Sequence, residues 1–353
     1  MSGERVLVAG WIDSPHVVAW GDALLELGFE VHLAGQLVGR WPIAAGTDRF
    51  ASVTALAPGR IPGIRDRRIG RALARVSRRL RPDLVHAHWA PGYGWMAARA
   101  RLRPLVTSVW GSDVLLADRR LARRSRRALR ASELVLADSA HLAAAARCVA
   151  GRDIRVEVVQ WGVDLGRYRP SPERAGGPPV VLMTRALDPL YNPEVVLEAV
   201  ALLRRRLPNL RLVLKHPGAE LPAAVAERLS ALDLADATTI VGFVDEDALA
   251  ELYRSAGAYV SIPSSDSSPR SVWEALASGT PAVVSDLPWA RAVLRDGEHA
   301  LLVPVEAPAV ADALERALAD PAMGARGRRL VEATMGREAQ LTRLGALYRE
   351  LLG

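Results

Sequence analysis

The sequence predicts a two-domain α/β protein built on doubly wound parallel sheets, and three observations carry that expectation. Short apolar runs alternate with longer stretches of helical periodicity along the chain, the pattern of successive βαβ units. One composition shift, from Arg169 through Pro170, Ser171, Pro172 and Gly176-Gly177 to Pro178-Pro179, reads as a linker that divides the chain nearly in half. The length of 353 residues exceeds what one ordinary core organises.

In order, the first domain is expected over 1–168, the linker over 169–179 and the second domain over 180–336. Strands are predicted at Arg5 to Ala9, Glu30 to Ala34, Leu84 to Ala87, Leu105 to Val109, Leu134 to Ala137 and Val156 to Val159. In the second half they fall at Val180 to Thr184, Arg211 to Lys215, Thr239 to Gly242, Ala258 to Ile262, Ala282 to Ser285 and Ala300 to Val303. Ser14-Pro15 supplies an N-cap and a first-turn proline to the first helix, and Gly28 closes it. Residues 337–353 form a last helix able to pack against either half.

Half of the residues are hydrophobic and 24% are charged, the balance of a globular chain, and no stretch reaches the ~20 apolar residues of a membrane span. The N-terminal apolar run is too short for a signal-peptide core, so a cytoplasmic protein is expected. The single cysteine, Cys148, rules out an intramolecular disulfide and reads as a small buried residue. The net charge of +7 rests almost wholly on arginine, Lys215 being the only lysine, which points to codon bias rather than to selection for phosphate contacts. The arginines cluster in 65–81 and 119–130 at helical spacing, with Ile69, Leu73, Val76 and Leu80 as an apolar stripe through the first. Such helices present a solvated basic face, and peripheral contact with an anionic membrane at its inner face is the functional alternative. Nucleic acid is not expected, since aromatic–basic interleaving and zinc-finger spacing are both missing.

Metal ligation is not expected either, because His86 and His88 lack a third ligand at suitable spacing. A P-loop and a Gly-x-Gly-x-x-Gly after the first strand are both absent. The informative segment runs from Ser264 to Gly279. Ser268 and Pro269 suit the N-cap and first turn of a helix that Gly279 stops. The backbone N–H groups of Arg270 and Ser271 would then face outward at a helix N-terminus, which attracts phosphate. Asp266 precedes the cap and Glu274 lies between one and two turns in. Paired with an anion site, two carboxylates suit sugar and ribose hydroxyls. By spacing alone, an ordinary capped helix with two exposed acids fits equally well.

This segment resembles the Glu-x7-Glu signature of retaining GT-B glycosyltransferases of family 4, with Asp266 at the first glutamate and Glu274 at the second. The run Glu274-Ala275-Leu276-Ala277-Ser278-Gly279-Thr280-Pro281 is similar to the family's Glu-Ala-x-Ala-x-Gly-x-Pro. Asp83-Leu84-Val85-His86-Ala87-His88, Trp110-Gly111-Ser112-Asp113, Gly162-Val163-Asp164, Gly242-Phe243-Val244 and the stretch from Asp296 to Val303 follow in family order, so the resemblance covers almost the whole chain. It implies two Rossmann-like doubly wound parallel-sheet domains facing across a cleft. It further implies transfer from a nucleotide-diphosphate sugar, without cofactor or metal, to an acceptor that is a glycan, a lipid-linked group or a small molecule. Asp266, Arg185 and His88 are then the candidate catalytic residues. Glu274 would bind ribose, the Arg270 and Ser271 amides the diphosphate, and Gly242, Phe243 and Val244 the base. His16, Trp110 and Asp113 would lie on the acceptor side.

Two departures bear on the substrates. The family's lysine a few residues after Arg185 is replaced by Leu190-Tyr191-Asn192, leaving Arg270 or Lys215 to supply that charge. Its turn histidine is replaced by Trp110. The rival expectations are a nucleotide-sugar epimerase on the same fold and a non-catalytic member that binds a nucleotide-sugar or glycan within an assembly.

Overall fold

The computed structural model describes residues 3–37, 47–57, 65–171, 177–218 and 220–353. Residues 172–176 of the expected linker lie outside them. The chain divides into two compact units, one comprising Met1–Trp161 with Glu338–Gly353 and the other Gly162–Arg337.

The first unit holds strands β1 (Arg5–Trp11), β2 (Glu30–Gln36), β3 (Ser52–Ala55), β4 (Leu84–His88), β5 (Leu105–Ser108), β6 (Leu134–Ala137) and β7 (Val156–Val158). They form one parallel sheet in the order β3-β2-β1-β4-β5-β6-β7. Helices α1 (Pro15–Glu26), α2 (Arg65–Leu80), α3 (Trp95–Ala100), α4 (Arg119–Ala131) and α5 (Ala140–Ala150) connect them. Burial on both faces explains why the strands read as unbroken apolar runs. In β1, Val6 and Val8 enter a core with residues of α1, whereas Leu7 and Ala9 face Ile69 and Leu73 of α2.

The second unit holds β8 (Val180–Met183), β9 (Arg211–Lys215), β10 (Thr238–Val241), β11 (Ala258–Ser261), β12 (Ala282–Ser285) and β13 (Leu301–Val303). Their order is β10-β9-β8-β11-β12-β13, again parallel throughout. The helices are α6 (Pro193–Arg204), α7 (Ala223–Ala231), α8 (Glu246–Ser255), α9 (Arg270–Ala277), α10 (Pro288–Val293), α11 (Ala307–Ala319) and α12 (Pro321–Thr334). Val181 and Met183 bury against α6 and α11, and Leu182 against α9. Helix α13 (Arg337–Leu352) belongs to the first unit, where Leu344, Leu347 and Tyr348 join the core around Val6 and Val8.

Three details differ from the sequence reading. Strand β3 is an additional edge strand whose residues alternate between half-buried and exposed, so it lacks the apolar run that marks the others. Cys148 is exposed: α5 buries Leu142, Ala143, Ala146 and Ala150, and position 148 lies on the opposite side of the helix. Ser14 does stand at the N-cap of α1, but its hydroxyl is buried and makes no hydrogen bond among the described residues.

Leu344 is 1% exposed in a core shared by α1, α13 and the sheet. Leu344→Ala is expected to destabilise the first unit by about 2–5 kcal/mol. The measurement is urea unfolding followed by tryptophan fluorescence, with Trp20 in the same core and Trp110 and Trp161 packed against it.

Candidate functional site

In a doubly wound sheet, ligands sit outside the carboxyl ends of the strands where the strand order reverses. In the second unit that point lies between β8 and β11, neighbours from which the order runs outward in opposite directions. The residues after β8 deliver Arg185, and those after β11 deliver Asp266 and the start of α9.

Arg185 Nη2 donates to Asp266 Oδ2 at 2.7 Å, and Nη1 donates to Ser271 Oγ at 3.3 Å. Burial would lower the Arg185 pKa, but Asp266 raises it, so the guanidinium stays charged. Burial pushes the Asp266 carboxyl above its usual range, opposed by Arg185 and by the Ser267 amide, which donates to Oδ1 at 2.9 Å. Tyr191 stands in the stretch that replaces the expected lysine, and its ring lies 4.3 Å beneath the Arg185 guanidinium. Asn192 Nδ2 donates to the Ile262 carbonyl at 2.8 Å, tying the same turn to the segment after β11.

Helix α9 begins at Arg270, with Pro269 at the N-cap. Ser268 therefore does not cap it in the expected way; its Oγ accepts from Trp273 Nε1 at 2.8 Å, fixing the buried indole. A helix start of this kind leaves its first amides without helical partners, and the Val272 amide donates to the Pro269 carbonyl at 3.0 Å. Glu274 is 4% exposed, not an exposed acid. Arg270 Nε lies 2.5 Å from Glu274 Oε1, and Tyr253 OH donates to Oε2 at 3.2 Å. Burial raises the Glu274 pKa and Arg270 opposes it. The Arg270 side chain also donates to Glu246 at 2.9 Å, so it is turned onto two carboxylates. Tyr253 and Tyr259 share Thr184 Oγ1 at 3.0 and 3.2 Å.

Lys215 ends β9, half-buried, and makes no ion pair among the described residues. Burial lowers its pKa, opposed by Glu274, which places a cation near the same helix. Gly242, Phe243 and Val244 follow β10; Phe243 is 62% exposed and open space surrounds Gly242. Tyr253 and Glu246 escape sequence reading because no spacing ties them to Arg185 or Glu274.

The first unit has its own switch point between β1 and β4. His16, exposed near the start of α1, has its ring 5.6 Å from Trp110 and 5.2 Å from Trp161. His88 and Asp113 differ from the expected open contact groups. Both are 0% exposed. Asp113 accepts from the Trp110 amide at 2.9 Å and the Ala90 amide at 3.1 Å, so it fastens the loop after β5 to that after β4. Gly111, at φ 100°, permits the tight turn this requires. Among the described residues both His88 nitrogens lack a hydrogen-bond partner, and burial with His86 and His16 nearby holds its pKa well below the ordinary value. His86 bridges Ser108 Oγ at 2.7 Å and Tyr348 OH at 2.8 Å. Among the described residues no cluster of three or more His, Cys, Asp or Glu side chains is placed to hold a metal ion, and no helix is long and apolar enough to cross a membrane.

Two doubly wound parallel-sheet units define the GT-B class of α/β protein. Residues 14–167 match the family described as Glycosyltransferase Family 4, and residues 166–334 that described as Glycosyl transferases group 1. The chain is 33% identical over 294 residues to a D-inositol 3-phosphate glycosyltransferase of Kineococcus radiotolerans, covering 70% of this chain and 67% of that one. The chain belongs to glycosyltransferase family 4. Against the first curated relatives it matches, it spans 55% to 60% of their length. In fold it is similar to a sucrose-phosphate synthase of Thermosynechococcus elongatus, at TM-score 0.84, 21% identity and 99% coverage of both chains. HepE of Anabaena, solved with UDP-glucose, gives TM-score 0.83 at 15% identity, covering 98% of this chain and 99% of that one.

The buried titratable groups of the first unit set an acid limit. His86 is held at about 3 by burial, below its ordinary 6.5. The unfolded chain therefore binds the extra proton first as pH falls, so this stabilisation is full above about pH 6.5 and lost toward pH 3. Asp113 is raised to about 6 by burial, against the pull of its amide donors, and acts in the opposite sense; its contribution is full below about 3.8 and lost as pH rises through 6. Between pH 6 and 4, His86→Gln should flatten the acid loss of urea midpoint and Asp113→Asn should steepen it, measured by unfolding at stepped pH.

Proposed function

We propose that this chain transfers a sugar from a nucleotide-diphosphate donor to an acceptor hydroxyl, with retention of the anomeric configuration and without a metal ion. The observation that carries the reading is the convergence of Arg185, Asp266, Ser271 and the open start of α9 at one switch point, in a chain of this family. The diphosphate lies at the α9 amides with Arg185 beside it, since a guanidinium is always charged and binds phosphate oxygens in pairs. These donors stabilise the departing diphosphate where its charge develops. Asp266 positions hydroxyls of the transferred sugar and orients Arg185. Glu274 accepts from the ribose hydroxyls, the diol taking over hydrogen bonding that Arg270 and Tyr253 supply here. Phe243 offers an exposed ring to the base. Lys215 supplies the second cation, because Arg270 is engaged with Glu274 and Glu246. HepE, solved with UDP-glucose, makes a UDP-sugar the first donor to test. The relatives' name makes inositol 3-phosphate one acceptor to offer.

The reaction takes place in the cytoplasm, with peripheral contact at the anionic inner membrane face. Helices α2 and α3 border a groove of about 450 Å³ lined by Arg67, Arg71, Arg99 and Trp95, which supports that contact.

A thermal-shift screen against UDP-, GDP-, ADP- and TDP-sugars should find one donor that stabilises the chain by roughly 2.7 kcal/mol at a hundredfold its dissociation constant. Glu274→Gln should weaken that donor about 10- to 100-fold, the loss of one or two charge-assisted hydrogen bonds. Equal affinity in the variant and the parent removes the ribose role. Asp266→Ala should chiefly lower turnover. NMR of the first-formed product tests retention, and conversion of the donor without any acceptor would identify an epimerase instead. Sedimentation with phosphatidylglycerol vesicles, weakened by Arg67→Ala and Arg71→Ala, tests the membrane contact.

A further inference from the structure

The carboxyl ends of the first unit's strands carry an unusual concentration of aromatic rings. Trp11 is the last residue of β1, and Trp89 is the first after β4, so the two stand on either side of the switch point. Their ring centroids are 5.2 Å apart, and Trp110, after β5, lies 6.0 Å from Trp11. His16 and Trp161 continue the row. The four indoles are only half-buried, at the place where a doubly wound sheet binds its ligand.

The backbone is bent to hold this row. Trp89 has φ 65°, the left-handed region, which is costly for a bulky side chain and is kept only where the surroundings enforce it. The enforcement is visible: Asp113 holds the next amide, that of Ala90, and Gly92 leaves room for the indole, since a Cβ there would lie 2.4 Å from it.

Basic side chains are missing from the described part of the same surface, whose acids are Asp13, Asp113 and Asp138. The segments 12–16, 89–94, 109–116, 138–139 and 159–161, which follow β1, β4, β5, β6 and β7, contain no lysine or arginine. The loops after β2 and β3 lie in part outside the described residues. Asp113 has its two oxygens committed to backbone amides. A phosphorylated polyol would need cations here, whereas a ring with an apolar face does not.

Resting on the glycosyl-transfer reading, we propose that the acceptor is an uncharged hydroxylated aromatic compound whose ring stacks on the Trp11–Trp89–Trp110 wall. In the transfer, the acceptor oxygen bonds to the anomeric carbon as the bond from that carbon to the diphosphate oxygen breaks. The electron pair leaves with the diphosphate, which takes the hydroxyl proton.

The test is calorimetric titration of the full chain with 2-naphthol, D-inositol 3-phosphate and methyl α-glucoside, followed by mass spectrometry of products formed with the donor from the thermal-shift screen. The expected result is binding and glycosylation of 2-naphthol, weakened about tenfold or more by Trp11→Ala and by Trp89→Gly, a residue at ease in the left-handed backbone. Trp11→Phe should restore much of the affinity. Stabilisation by the donor should persist in these variants, because they lie in the other unit from the donor site. Preference for the inositol phosphate or the glucoside, absence of naphthol binding, or naphthol binding that both tryptophan variants leave intact would each overturn the proposal. Failure of every nucleotide-sugar to stabilise the parent would instead count against glycosyl transfer, and naphthol binding would remain readable by itself.

Discussion

Adjacent parallel strands β8 and β11 send their following loops to opposite sides of the sheet, and the Arg185–Asp266 ion pair closes the gap between them. Both partners are about 15% exposed, so removing one leaves a nearly buried charge, a loss on the order of 3–5 kcal/mol. Much of the surrounding structure serves to hold this pair. Tyr191 lies beneath the guanidinium, Ser271 accepts from it, and Asn192 ties the two loops together. The pair therefore joins the start of α9 to the loop after β8.

The same helix carries the second tension of the site. Glu274 is buried deeply enough to favour its neutral form, yet Arg270 beside it favours the carboxylate. Arg270 itself is shared with Glu246, which also pairs with Arg167. A relay of alternating charge thus runs from the helix interior to the surface of the unit. Each member is satisfied, which is the condition under which buried polar groups are tolerable. The Glu274 carboxylate is thereby held in one orientation by Arg270 and Tyr253.

The first unit solves a different problem with different chemistry. Its switch point is lined by indoles, and its polar groups are turned inward: His86 to Ser108 and Tyr348, Asp113 to two amides. Asp113 and His88 drew attention in the sequence because they belong to motifs, but the structure uses Asp113 to shape a turn and encloses His88 entirely. Trp110 and Trp11, which carry no titratable group, hold the surface instead. The difference arises because a motif records which residues recur, not which of them faces outward.

The sequence by itself determined the two parallel sheets, the position of nearly every strand and the start of α9 to within one residue. Those features follow from local periodicity and from proline and glycine placement, which act over a few residues. It also singled out Asp266 and Glu274 through spacing along one chain segment and a resemblance, and Arg185 through the resemblance alone. Only the tertiary structure decided that α13 joins the first unit, through Tyr348 and His86, 262 positions apart. Only it showed that Cys148 is exposed, that Glu274 is buried between Arg270 and Tyr253, and that Trp11 meets Trp89. The physical reason is common to all four. Each depends on which face of an element is covered by another element distant in sequence, and no local pattern contains that information.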